Sequence, residues 1–310
     1  MNYTGKNHTF AICAYKESPF LEECIQSLLG QTIPSTIIIV TSTDNAYIQN
    51  MAEKYHLELF INHGESGITQ DWMFAYRSAR TELMTIAHQD DTYDRLYTET
   101  VLQQLSAARH PLIAFTDYGE LRNGAIVNKN TLLKVKRTML LPLHLKIFHN
   151  SIFVRRRVLS FGCPICCPSV TFVKDNLPDQ IFFPGFRSDE DWQAWELLSR
   201  KRGAFVYCNR ILMYHRIHDG SETSAILGDS APSLSRSPFC AVSAFPSYVI
   251  LIASEHNTNS DRLTVPDSSL KQFPVSDITC IVSLSLSICI TTASHISMLS
   301  VMHSRTLSAA

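Results

Sequence analysis

Charge of one sign is missing from this chain of 310 residues: the formal net charge is -1. A basic face for nucleic acid is therefore not expected. An apolar leader core is missing from Met1–Thr9. Without it no secretion signal is expected, and the nine cysteines read as free thiols in a reducing, cytoplasmic setting. Glycine is missing from Ala14-Tyr15-Lys16-Glu17-Ser18, so no glycine-rich loop stands there to grip a triphosphate. A second cysteine pair is missing too. Cys163, Cys166 and Cys167 are followed before residue 230 by Cys208 alone, which argues for buried thiols rather than a zinc loop.

What is present is a repeating order of elements in an ordinary globular balance, 45% hydrophobic and 18% charged. Phe10–Ala14 and Leu57–Ile61 read as strands, and the β-branched run Thr36–Val40 and Leu83–Ala87 as buried strands. Between them, Pro19–Leu29, Ala46–His56 and the segment Gly64–Arg80 carry helical spacing. Ser18 is the expected N-cap of the first helix, Pro19 its first residue and Gly30 its stop. This β-α-β-α-β-α-β order predicts an α/β fold, a mostly parallel sheet with helices on both faces. The strand ends at Ala14, Val40 and Ala87 then converge on one edge, where ligands bind in such folds. Pro111–Asp117 reads as a further strand.

At that edge stands His88-Gln89-Asp90-Asp91. Adjacent carboxylates repel unless a cation lies between them, and oxygen ligands suit Mg²⁺ or Mn²⁺ on a substrate phosphate. The competing reading makes Asp91 or Thr92 the N-cap of a helix through Tyr97–Leu105. The cluster Thr41-Ser42-Thr43-Asp44-Asn45 caps the next helix or binds a nucleoside. Asp71 and Trp72 face a common cleft or, for Asp71, serve the helix dipole. Asp189-Glu190-Asp191-Trp192 opens an amphipathic segment, and its acids serve a helix dipole or supply a general base. His215 and His218 are candidate metal ligands and Arg216 a diphosphate clamp, against a plain structural use.

Residues 8–230 resemble a family 2 glycosyltransferase with a GT-A, nucleotide-diphospho-sugar transferase-like fold. The resemblance rests on Phe10–Glu17, on Leu21–Leu29 with Gln31-Thr32, and on Ile37–Asn45. It continues through His88–Asp91 to Asp191-Trp192 and His215–His218. It implies transfer of a sugar from a nucleotide diphosphate, UDP or dTDP by default, to a glycan or lipid-linked hydroxyl, with inversion. It implies that Ala14, Tyr15 and Glu17 line the nucleotide pocket, with Thr41, Ser42, Asp44 and Asp71 beside them. Asp90 takes the metal place next to Asp91, Asp191 is the base, and His215 or His218 approaches the metal or diphosphate. His88 stands where the family's motif has an acid, and Thr41 and Ser42 where it has paired acids. A nucleotidyltransferase and a decayed nucleotide-sugar-binding protein are the alternatives.

Composition divides the chain near residue 229. Residues 1–229 are expected to form the transferase domain, with a nucleotide-sugar half at about 8–118 and an acceptor half at about 119–229. Residues 230–310 are serine-rich and lack glycine, as expected of a disordered or out-of-frame tail, with Ile278–Met302 a weak membrane-span candidate. Lys134–Arg157 alternates basic and apolar residues. It reads as a solvated helical face or as a contact with an anionic acceptor or an anionic membrane, peripheral at the inner face of a cell membrane.

Overall fold

The computed structural model describes residues 2–185 and 190–218. Asp189, the tail from 230 and Ile278–Met302 lie outside the described residues. The elements run β1 His8–Ala14, α1 Leu21–Leu29, β2 Thr36–Thr41, α2 Ala46–Tyr55, β3 Glu58–Ile61, α3 Ile68–Ser78 and β4 Leu83–His88. There follow β5 Thr92–Tyr93, α4 Tyr97–Ala107, β6 Pro111–Arg122, β7 Ala125–Val127, α5 Thr131–Leu140 and α6 Ile152–Leu159. The last are β8 Val170–Val173, α7 Glu190–Ser199 and β9 Ala204–Ile217.

One sheet runs β3-β2-β1-β4-β8-β6-β9-β5, with β7 off this path and paired antiparallel to the end of β6. The first four strands are parallel, as the alternating order predicts. Alternate side chains of β1 enter different cores: Phe10 and Ile12 pack with Leu21, Ile25 and Tyr97, while Ala11 packs with Met73, Met84 and Phe172. Burial on both faces explains why β1, β2 and β4 read as continuous apolar runs. In register, Ala14 faces Thr41 and Cys13 faces His88, so the three strand ends do converge.

Beyond β4 the parallel pattern stops. Strand β8 enters antiparallel to both β4 and β6. Strand β9 then runs parallel along β6 with register shifts near Asp117, and its end pairs with β5. Its start needs Gly203, at φ +137°, where a side chain would strike Leu112 and the His110 carbonyl. The expected division near residue 118 falls inside β6.

Two local expectations are corrected. Helix α1 begins at Leu21 with Phe20 at its N-cap. Ser18 Oγ accepts from the Phe20 amide at 3.3 Å and the Ser18 carbonyl from Tyr47 Oη at 2.6 Å, so 18–20 is a turn ahead of the helix. Neither Asp91 nor Thr92 caps α4, whose N-cap is Leu96, because Thr92 and Tyr93 are drawn into the sheet against Tyr214 and Met213.

Under the sheet's start, His8 is 1% exposed, with Nδ1 bonded to Ser35 Oγ at 2.9 Å and Nε2 to Thr85 Oγ1 at 3.0 Å. Burial pushes this imidazole down from 6.5 to about 3. The unfolded chain takes up the proton first, so this contribution is full above pH 6.5 and is lost as pH falls toward 3. The loss is about 1.4 kcal/mol for each pH unit in that window. Thermal midpoints of the wild type and His8→Gln should therefore converge as pH is lowered from 6.5 toward 4. A gap that stays constant would contradict the assignment.

Candidate active site at the strand ends

The carboxyl edge of the parallel strands carries three groups of polar side chains. The first joins β1 to β4. The Gln89 side chain accepts from the Tyr15 amide and donates to the Tyr15 carbonyl, both at 3.0 Å. Lys16 sits in the left-handed region at φ 55°, and its amide donates to Thr43 Oγ1 at 2.6 Å. Tyr15 and Glu17 are exposed at this edge, while Ala14 is buried in the core.

The second group lies over β2 and β3. Asp71, in the first turn of α3, accepts from Ser42 Oγ at 2.8 Å and from Asn62 Nδ2 at 3.0 Å. The 41–45 cluster divides its work. Asn45 caps α2 by accepting from the Ile48 amide, and Thr41 Oγ1 holds the Thr43 amide. Asp44 accepts from Gln49, and Ser42 alone turns to Asp71. The structure thus brings Ser42 and Asp71 together and directs Thr41 and Asp44 to local bonds.

The third group is built on Asp91, which is fully buried. Its Oδ1 accepts from His215 Nδ1 at 3.0 Å and from the Arg216 amide at 2.9 Å. Burial alone would raise this carboxyl, but the charge and hydrogen bond of His215 and the Arg216 amide outweigh it and hold it below the usual range. His215 is raised in turn: burial works against its charge, and Asp91 and Asp90 prevail. Asp90 accepts from His218 Nε2 at 3.0 Å, and its carbonyl from Arg216 Nε at 2.8 Å. Arg216 extends to Glu23 of α1 and lies 4.3 Å over the Phe20 ring.

Donor atoms of His88, Asp90 and Asp91 all lie within 4.8 Å of one another. His88 Nε2 and Asp91 Oδ2 are buried without a hydrogen-bond partner. Orphaned donors in a set of two carboxylates and an imidazole fit a divalent cation. His88 is stacked on Trp72 at 5.3 Å and kept neutral by burial, which leaves a lone pair for a ligand. His215 and His218 stand beside this set, each with one ring nitrogen spent on a carboxylate.

Asp191 sits in the first turn of α7, with Oδ1 on the Trp192 amide at 2.7 Å and Oδ2 3.7 Å from Cys163 Sγ. The 163–167 loop touches Asp191 through Cys163, and Asp91 and Asp191 both push the Cys166 thiol up. Burial pushes the Cys163 and Cys166 thiols well up, and they stay protonated. Helix α7 is held at its far end by Arg155, which donates to the carbonyls of Ser199 at 2.9 Å and Lys201 at 2.6 Å.

Sequence reasoning missed Gln89, Phe20, Glu23 and Lys136 as site residues. Lys136 Nζ lies 5.2 Å over the Tyr118 ring and acts on His215 and the cysteine loop. Gln89 lies within the acidic motif, so its position was visible and its role was not.

Removing the Asp91 carboxylate leaves His215 and a buried amide without an acceptor. Asp91→Ala should cost about 3–5 kcal/mol of stability in urea unfolding. An unchanged midpoint would contradict the central place given to this carboxylate.

Comparison with known proteins bears on the fold and the family. No curated protein sequence matches the chain significantly. Among solved structures, S. aureus TarS 1-349 in complex with UDP-GlcNAc superposes with a TM-score of 0.51 at 17% identity. That match covers 81% of this chain and 67% of the other. S. aureus TarS 1-349 alone gives 0.48 at 12% identity, covering 68% of this chain and 60% of the other. This chain thus spans about 60–67% of those structures, and the likeness to the UDP-GlcNAc complex shows a GT-A fold. The family model described as "Glycosyl transferase family 2" matches residues 9–172, more than half of the sequence, and the chain belongs to that family.

Proposed function

We propose that this chain transfers a sugar from a nucleoside diphosphate donor to an acceptor hydroxyl, with inversion. The observation that carries the reading is the convergence of His88, Asp90 and Asp91 at the end of β4, with two buried donor atoms unspent. Mn²⁺ or Mg²⁺ held there would take up the negative charge of the leaving diphosphate. The mixed oxygen and nitrogen set tilts the choice toward Mn²⁺. The nucleoside lies at the ends of β1 and β2, where Asp71 is held by Ser42 and Asn62 and Tyr15 and Glu17 are exposed. The UDP-GlcNAc bound to the TarS neighbour makes uridine the first base to test.

Asp191 takes the proton from the acceptor hydroxyl. The oxygen attacks the anomeric carbon while the bond to the diphosphate breaks on the opposite face, which inverts the centre. Arg216 fixes the return strand through Asp90, Glu23 and Phe20. The same reading takes the acceptor to be a glycan or lipid-linked hydroxyl of the cell envelope, reached from the cytoplasmic side.

Nucleotide sugars titrated with Mn²⁺ should release nucleoside diphosphate. Release should fall by at least about a hundredfold in Asp191→Asn with donor binding retained. Binding without release in the wild type would mark a sugar-binding protein instead. Asp90→Ala should weaken Mn²⁺-dependent donor binding, and unchanged binding would remove Asp90 from the cation site.

A further inference from the structure

The described residues expose eight large hydrophobic side chains, and four of them, Leu141, Leu145, Ile147 and Phe153, fall within thirteen residues. That density singles out one surface. Ile147 is 77% exposed, Phe153 59% and Leu145 56%. Leu141 and Ile147 project from two single-turn helices, Leu141–His144 and Lys146–Phe148, Leu145 from the residue between them and Phe153 from the first turn of α6. The segment is anchored from beneath. Leu143, Val154 and Val158 are buried in the core, and His149 Nε2 bonds the Leu143 carbonyl at 2.9 Å. The exposed side chains are therefore a feature of a packed segment, not of a loose one.

The charge beside them in the sequence has one sign, although Glu196 of α7 pairs with Arg156 at 3.8 Å. From Leu121 to Val173 there are nine Lys or Arg and no Asp or Glu, in a chain whose net charge is -1. Lys146 lies between Leu145 and Ile147 and is exposed, as is Arg157 on α6. Among the described residues neither forms an ion pair. Arg157 stacks on Phe161 at 4.9 Å.

We propose that this surface, Leu141 to Arg157, docks the protein on an anionic phospholipid bilayer. Leu145, Ile147 and Phe153 enter the boundary between headgroups and acyl chains, and Lys146 and Arg157 meet the lipid phosphates. Two other occupants fit less well. A soluble polyanion would use the cations and leave the apolar side chains in water. A second copy docked about a two-fold axis would press this basic face against itself. Helix α5 links the surface to the site. Lys136 lies five residues before Leu141, about 7.5 Å along a helix axis, so a docked bilayer would lie next to the acceptor side. The docking itself requires no donor sugar and stands or falls separately from the transferase reading.

The test is sedimentation of the full chain with phosphatidylcholine vesicles, with and without phosphatidylglycerol. Binding should require the anionic lipid and weaken as salt is raised. The double variant Leu145→Asp, Ile147→Asp should bind at least about tenfold more weakly, and so should Lys146→Glu with Arg157→Glu. Both should keep the wild-type unfolding midpoint and hydrolysis of the donor. Equal binding to neutral vesicles, or none, would overturn the proposal. So would binding that persists in the Leu145→Asp, Ile147→Asp variant, because the contact would then lie elsewhere in the chain. A concentration-dependent dimer abolished by those substitutions would assign the surface to a second copy instead.

Discussion

A carboxylate with no exposure to water governs this end of the molecule. Asp91 can stay ionised there only if the chain brings donors to it. Nothing local supplies them on Oδ1. They come from the imidazole of His215 and the backbone amide of Arg216, more than 120 residues away. The end of β9 is therefore compelled to return to the end of β4. Its length, its register shifts along β6 and its pairing with β5 are the route by which it arrives. Once there, Arg216 draws in α1 through Glu23 and Phe20. One buried charge thus fastens β4, β9 and α1 together.

The two adjacent acids are consequently unlike. Asp91 is structural on one oxygen and unspent on the other, while Asp90 is partly exposed and bonded to His218. Beside them His88 is held flat against Trp72 and neutral, so it adds a nitrogen donor without adding charge. An acid in place of His88 would make the cluster one negative charge higher. Around this centre the site is assembled from the ends of different strands, and each end is fixed by a side chain bonding across to its neighbour: Gln89 to Tyr15, Thr43 to Lys16, Ser42 to Asp71.

The parallel half was legible because its signals are local. Ile37–Val40 and Leu83–Ala87 are buried on both faces and look it, and a strand end followed by polar residues marks the ligand edge. The rest depends on pairings far apart in sequence. Residues Val170–Val173 are too short to announce a strand that enters antiparallel between β4 and β6. Asp91 looked like a helix cap because an acid before a helix commonly is one. Its true partners could not be inferred from neighbours in sequence. The start of α1 was misplaced for a similar reason: Pro19 suits a first helical turn, but Tyr47 holds the Ser18 carbonyl from another helix. Lys136 was visible as one of several cations, and only packing on Tyr118 distinguishes it.

The central claim is that Asp91 keeps its bonds to β9 while Asp90 and His88 face the ligand. A crystal grown with Mn²⁺ and a nucleotide sugar tests it directly through the anomalous signal of the metal. A manganese peak is expected beside Asp90 and His88, with Asp91 Oδ1 still on His215 and the Arg216 amide. A peak remote from Asp90, or an Asp91 released from His215 and Arg216 with β9 still in place, would contradict it.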